Sequence, residues 1–296
     1  MRKSFRGAGV ALITPFNADL KVDFEGLGKI VDHQIDHQID YLVILGTTAE
    51  TATLTSSEKQ QIVDFVCNRV KGRIPVVVGI GGNNTQSVID EMLSFDLSGA
   101  DAILSVVPYY SKPTQEGIYQ HYMAIVNASQ LPVILYNVPG RTGVSMSAET
   151  TLRLAHASDM IVGTKEASGN LNEITKILRD KPAGFSVISG DDSLILPIIA
   201  IGGEGVISVA ANVVPKVIAD LTHLALEGDF KSASQLHLRL QRICDALFID
   251  GNPAGAKAAL HFSGIISNVL RLPLVPVTKS TYEILAREMQ MFASNI

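Results

Sequence analysis

Ile161-Val162-Gly163-Thr164-Lys165-Glu166-Ala167-Ser168-Gly169-Asn170 is the stretch on which the fold turns. A short apolar run ends in a lysine, small residues follow, and Asn170 stands ready to cap the periodic stretch 170–180. This is one strand, one turn and one helix start, and the unit recurs in both directions along the chain. Strands are expected at Gly9–Thr14, Tyr41–Leu45, Pro75–Gly79, Asp101–Val107, Val133–Asn137, Ile161–Lys165, Phe185–Ser189 and Gly205–Val209. Helical patterns lie near 23–38, 55–70, 84–98, 114–128, 147–157, 170–180, 191–200 and 213–226, and Asp23, Thr55, Thr114 and Ser147 open theirs as Asn170 does. The strand runs are rich in Val, Ile and Leu with little alternation, the pattern of strands buried on both faces, so a parallel sheet is expected.

Eight such units in about 225 residues suit a closed TIM (β/α)8 barrel better than an open sheet. A doubly wound fold would place a Gly-rich nucleotide fingerprint after the first strand, and Ile13-Thr14-Pro15-Phe16 has none. From about residue 227 the rhythm breaks. Phe230–Phe248, Pro253–Phe262 and Thr278–Ala293 read as a C-terminal three-helix extension with no strand between them. The expected division is therefore a catalytic barrel over 1–226 and a helical region over 227–296, without a low-complexity linker.

The 296 residues are 47% apolar and 18% charged, the balance of a globular chain. A net charge of −5 and no long basic run argue against nucleic acid or an anionic membrane as partner. The richest apolar region, 194–214, is interrupted by Gly202, Gly203 and Glu204, so no span is expected. Cys67 and Cys244 both fall in helical patterns and suggest neither a disulfide framework nor a zinc site. Met1–Gly7 carries charge but no apolar run, so a cytoplasmic location is expected.

In a barrel of this kind the site lies at the carboxyl ends of the strands. Collecting those ends gives Thr47 and Thr48 after strand two, Tyr109 and Tyr110 after strand four, Tyr136 and Arg141 after strand five, and Lys165 at the end of strand six. Burying a lysine is costly, and the same desolvation makes its amine a nucleophile for carbonyl carbon. Hydroxyl groups supply the proton shuttle that imine formation needs. The His and carboxylate ligands of a metal-dependent aldolase are missing from these ends.

The segments GTTAE at 46–50, PYY with KPTQEG at 108–117, YNVPGRTG at 136–143, GTKEASGN at 163–170, SGDD at 189–192 and GGEGVISV at 202–209 carry a family resemblance. From about residue 5 to its end the chain resembles the dihydrodipicolinate synthase family, within the class I aldolase superfamily that also holds N-acetylneuraminate lyases. The resemblance implies that Lys165 forms an imine with pyruvate and that Tyr136 is the proton donor and acceptor beside it. It implies that Thr47 links Tyr136 to Tyr110 of a neighbouring subunit, and that Thr48 and the backbone at Ile207 hold the pyruvate carboxylate. Arg141 would receive the carboxylate of L-aspartate 4-semialdehyde. A homotetramer built as a dimer of dimers, with no metal and no organic cofactor, is also implied. The alternative within the superfamily is a sister pyruvate-dependent aldolase acting on a keto-sugar acid; those lyases usually show Ser-Thr at 47–48 and lack an arginine in the 141 loop.

Two departures stand out. Ala49 replaces a usual Gly, and Asn252-Pro253-Ala254-Gly255 replaces the common Asn-Pro-Ile-Pro. Many members are inhibited by lysine through His, aromatic or Glu side chains at positions matching Ser56, Lys59 and Ser87; here only Asn83, Tyr109 and Ala52 fit the lysine-binding pattern, so weak or absent lysine feedback is expected. His33 and His37 share a helical face without a Glu beside His33 to act as base, and read as a solvated face. The glycines at 202–205, before strand eight, are the remaining footing for a phosphate-binding barrel.

Overall fold

The structure is a computed structural model that describes residues 5–293. Residues 1–4 and 294–296, at the outer ends of the expected divisions, lie outside the described residues. Among the described residues, eight strands close into one parallel barrel in chain order. They are β1 Gly7–Ala11, β2 Tyr41–Ile44, β3 Val76–Gly79, β4 Ala102–Val106, β5 Val133–Asn137, β6 Ile161–Glu166, β7 Ser186–Ser189 and β8 Gly205–Ser208. β1 pairs with both β2 and β8, which closes the circle. Around it run α1 Phe24–Asp36, α2 Ser56–Val70, α3 Thr85–Ser94, α4 Gln115–Ala128, the short α5 Pro139–Thr142, α6 Ala148–Ala157, α7 Leu171–Asp180, α8 Ile195–Ala200 and α9 Pro215–Glu227. The C-terminal helices are α10 Phe230–Phe248, α11 Ala254–Phe262 and α12 Lys279–Ala293.

The missing alternation in the strands has a direct cause. In β2, Tyr41 and Val43 enter the inner cluster of the barrel while Leu42 and Ile44 enter the layer beneath the helices. Each buried aliphatic side chain contributes about 1.5–3 kcal/mol, so both faces hold the strand in place. The helices start where their caps predict. Thr55 Oγ1 accepts from the Glu58 N–H at 3.2 Å and Glu58 Oε2 accepts from the Thr55 N–H at 2.9 Å, a full capping box. Asp23, Thr114, Ser147 and Asn170 each accept an N–H of the first turn.

Some boundaries differ from expectation. β1 runs Gly7–Ala11 rather than Gly9–Thr14, because the Ile13 N–H is taken by the Asn212 side chain at 3.1 Å and leaves the ladder. The helix expected over 191–200 is a tight turn, Asp192–Leu194, followed by α8. α3 stops at Ser94, where Phe95 turns extended, and α5 occupies what reads as a loop.

α10 packs along α9 and α8, and α11 and α12 pack on α10. Leu240, Ile243, Leu247, Leu260 and Leu285 join the same apolar layer that coats the barrel. At Gly255 a Cβ would lie 2.1 Å from the Leu247 carbonyl oxygen, so α11 approaches the end of α10 at backbone distance and only glycine fits. No helix of the described residues is long and apolar enough to cross a membrane.

Candidate active site

The register between β5 and β6 creates the central pair. Tyr136 stands opposite Lys165, and Asn137 opposite Glu166. Paired residues on neighbouring strands share a face, so Tyr136 and Lys165 point into the barrel while Asn137 and Glu166 point out. Lys165 is only 5% exposed, and its Nζ lies 4.4 Å from the centroid of the Tyr136 ring, within cation–π range. Across the other edge of β6, Lys165 pairs with Ile188. Gly190 leaves room for its stem: a Cβ there would lie 3.1 Å from Lys165 Cε and 2.7 Å from the Ala167 Cβ.

Glu166 is adjacent in sequence yet is occupied elsewhere. Its carboxylate accepts from Asn137 Nδ2 at 3.0 and 3.1 Å and from the Ser168 N–H at 3.0 Å. Burial pushes its pKa above the ordinary value.

Beyond β2 the chain makes a tight turn over Thr47–Ala49, pivots at Glu50 with φ 55 and ψ 35, and makes a second turn over Thr51–Thr53. The left-handed residue is Glu50 and not Ala49, so an alanine in the usual glycine place is accommodated. Thr48 is buried, and its Oγ1 accepts from Asn252 Nδ2 at 2.8 Å. Arg141, on α5, donates from Nη2 to the Asn252 carbonyl at 3.3 Å.

Lys165, Tyr136, Thr47, Thr48 and Arg141 border one cavity of about 460 Å³ at the carboxyl ends of the strands. A neighbouring cavity of about 490 Å³ shares Thr47, Tyr136 and Arg141 and extends toward Tyr109 and Lys59. Two expected members stand apart. Ile207 is fully buried in the inner cluster with Tyr136 and Ile188, and Val209, two residues on, borders the cavity instead. Tyr110 borders neither cavity; it is 87% exposed with a left-handed φ of 74°.

Other residues at the cavity escaped the sequence reading. Asn252 arrives from the C-terminal region, and Cys244 lines the wall as a thiol whose pKa burial raises. Asp192, buried and raised in pKa by its burial, accepts from the Val209 and Ala210 N–H groups at 3.1 and 2.8 Å and so holds the turn after β8. Its SGDD segment was visible in the sequence, but nothing there showed which donors it meets.

The glycines at 202–205 lie at the start of β8, the end of the barrel opposite the cavity. There Glu204 pairs with Lys181 at 2.8 Å and accepts from Ser186 Oγ at 2.6 Å, while a Cβ at Gly203 would lie 2.8 Å from the Ile198 carbonyl oxygen. They serve close packing, which removes the footing for a phosphate site. On α1, His37 Nδ1 lies 2.7 Å from the His33 carbonyl oxygen of its own helix. Among the described residues, no three His, Cys, Asp or Glu gather as a metal-binding group.

The Dihydrodipicolinate synthetase family matches residues 4–291. The chain belongs to this family. It is 55% identical over 280 residues to the 4-hydroxy-tetrahydrodipicolinate synthase of Parabacteroides distasonis, covering 95% of this chain and 94% of that relative. The dihydrodipicolinate synthase of Aquifex aeolicus superposes with a TM-score of 0.95 at 40% identity, over 98% of each chain. The chloride-inhibited dihydrodipicolinate synthase of Acinetobacter baumannii, solved in complex with pyruvate, superposes with a TM-score of 0.95 at 38% identity, over 99% of this chain and 100% of that one.

Proposed function

We propose that this chain is a class I, Schiff-base lyase that condenses pyruvate with L-aspartate 4-semialdehyde to 4-hydroxy-tetrahydrodipicolinate, in lysine and diaminopimelate biosynthesis. The observation that carries the reading is Lys165, buried at the end of β6 against the Tyr136 ring and facing a cavity that also holds two threonines and a guanidinium. The amine of Lys165 adds to the pyruvate carbonyl carbon, and water leaves to give the imine. A methyl proton is then lost, and the imine nitrogen takes up the electron pair as an enamine forms. The enamine carbon attacks the aldehyde, whose oxygen is protonated. The amino group of the second substrate next attacks the imine carbon and expels Lys165 as a free amine. Lys165 is the electron sink, so the scheme calls for no metal or organic cofactor.

In this scheme Tyr136 gives and takes the protons of imine formation, and Thr47 passes them on to Tyr110 of a neighbouring subunit. Thr48 and the main chain at Ile207, whose own side chain packs away in the inner cluster, hold the pyruvate carboxylate, and Arg141 holds that of the aldehyde. The exposure of Tyr110, together with its place outside both cavities beside Tyr136, supports delivery to a partner; we read the assembly as a homotetramer of two dimers in the cytoplasm. Residues 1–226 would be the catalytic barrel and 227–296 the helical region that closes one side of it.

Borohydride reduction in the presence of pyruvate, followed by peptide mass spectrometry, tests the imine. An adduct on Lys165 is expected, and an unmodified Lys165 would overturn the reading. Turnover of pyruvate with several aldehydes separates this synthase from a keto-sugar-acid aldolase, because only the former requires L-aspartate 4-semialdehyde.

A further inference from the structure

The loop that carries Thr47 and Thr48 ends on a buried ion pair. The Glu50 carboxylate lies 2.5 Å from Lys257 Nζ of α11, and neither side chain has exposed surface. Glu50 Oε2 also accepts the Arg271 N–H at 3.1 Å. Lys257 Nζ donates to the Val269 carbonyl at 2.9 Å and lies 4.1 Å from the Phe16 ring centroid. The charged groups facing Lys257 are Glu50, from the loop after β2, and Arg271, from the segment between α11 and α12; Glu58 of α2 stands behind Arg271.

A fully buried ion pair stabilises poorly, because desolvating both charges offsets their attraction. What it supplies is a fixed position, since moving either partner leaves an uncompensated charge. The position fixed here is the left-handed pivot immediately after the Thr47–Ala49 turn. We propose that Lys257 is a positioning residue for the reaction at Lys165: by seating the Glu50 carboxylate it sets the Thr47–Thr48 turn against Lys165 and Tyr136. The inference rests on pyruvate binding in the Lys165 cavity.

Burial holds Lys257 down to about 8, with Glu50 opposing that shift. The clamp is thus charged at neutral pH and lost as the pH rises through that value.

The test compares the wild-type protein with the double variant Glu50→Gln/Lys257→Met, which replaces both charges by neutral groups of similar size and is expected to keep its fold and melting temperature. The expected kcat/KM for pyruvate at pH 7 is about tenfold lower, the scale set by a small misplacement of reacting groups. The ratio of wild type to variant should shrink as the pH is raised to about 9.5, because the wild type then loses its own clamp. A folded double variant with wild-type kcat/KM, or a ratio that stays constant with pH, would overturn the positioning role. If the double variant unfolds, Glu50→Asp, which keeps both charges of the pair but draws the carboxylate back by one methylene, is read by its kcat/KM at pH 7, where an unchanged value in the folded protein overturns the positioning role. Borohydride trapping of pyruvate on the wild type separates the two layers. An adduct at Lys165 with no effect of the variants sinks only the positioning role, whereas no adduct sinks the pyruvate reading and the positioning role with it.

Discussion

Asn252 Nδ2 donates to Thr48 Oγ1 at 2.8 Å, a buried bond between residues 204 positions apart. The segment between α10 and α11 thereby enters the cavity from outside the barrel, and its Asn252 carbonyl also receives Arg141. The side chains assigned to the carboxylates of the two substrates therefore meet at a single residue, and the C-terminal helices belong to the site as much as the strands do.

Asn252→Ala removes this bond and frees the Thr48 hydroxyl to rotate. A buried hydrogen bond contributes about 1 kcal/mol net, and an orphaned partner costs more, so stability should fall by about 1–2 kcal/mol. The KM for pyruvate should rise about tenfold, equivalent to about 1.4 kcal/mol, with a smaller change in kcat. Denaturant unfolding beside steady-state kinetics checks both numbers. An unaltered KM would mean that the Thr48 hydroxyl is held by something else.

Gly190→Ala should act on the nucleophile itself. The added Cβ would sit 2.7 Å from the Ala167 Cβ and 3.1 Å from Lys165 Cε, so the lysine stem must move. A displacement of about 1 Å in a reacting group costs about 100-fold in rate. The few tenths of an ångström demanded of Lys165 here, added to the shift forced on Ala167, set an expected loss of about tenfold. The expected outcome is a kcat lower by about that factor and a slower borohydride-trapped adduct, in a protein whose circular dichroism is unchanged. A Gly190→Ala enzyme with wild-type kcat would show that the stem adjusts without cost.

The sequence was most legible where one residue decides a local outcome. Asp23, Thr55, Thr114, Ser147 and Asn170 cap the helices they precede, and the doubly apolar strands give a parallel barrel whose register brings Lys165 beside Tyr136. What stayed hidden depends on contacts between distant segments. The end of β1 is set by Asn212, the Thr48 hydroxyl by Asn252, and the space for Lys165 by the absence of a side chain at Gly190. No periodicity or spacing encodes these meetings, because each partner is an ordinary polar or small residue in its own stretch.

Acid should loosen the clamp around Arg271. Glu58 is lowered to about 2, chiefly by its hydrogen bond to Arg271. A carboxylate with a depressed folded-state pKa contributes stability that is full above its ordinary value of 4.5 and is lost as the pH falls toward about 2. Glu58 is partly exposed, so screening limits the contribution to about 1 kcal/mol. Urea unfolding at pH 6 and at about pH 3 should show a smaller acid loss in Glu58→Gln than in the wild type. Equal losses would place the acid-sensitive group elsewhere.

L-lysine should inhibit weakly or not at all. Lys59 Nζ donates to Glu91 Oε1 at 2.5 Å, and this largely buried pair borders the second cavity. Lys59 and Glu91 already neutralise each other, so an amino acid entering there would have to break this pair before either residue could receive its ammonium or its carboxylate. Initial rates against L-lysine concentration should stay flat through the submillimolar range. A steep loss of activity in that range would sink the expectation.

Tyr110→Phe separates assembly from chemistry. The side chain is 87% exposed on a left-handed backbone, and a phenylalanine keeps its ring while removing the hydroxyl that would complete the relay from Thr47. Loss of one proton-shuttle member costs about 100-fold or more in rate. Sedimentation of the variant should match that of the wild type, while its kcat falls by about this factor and Tyr136→Phe shows a comparable loss. A Tyr110→Phe protein that stays assembled and fully active would remove the neighbouring subunit from the proton path and leave Tyr136 to be served from within its own chain.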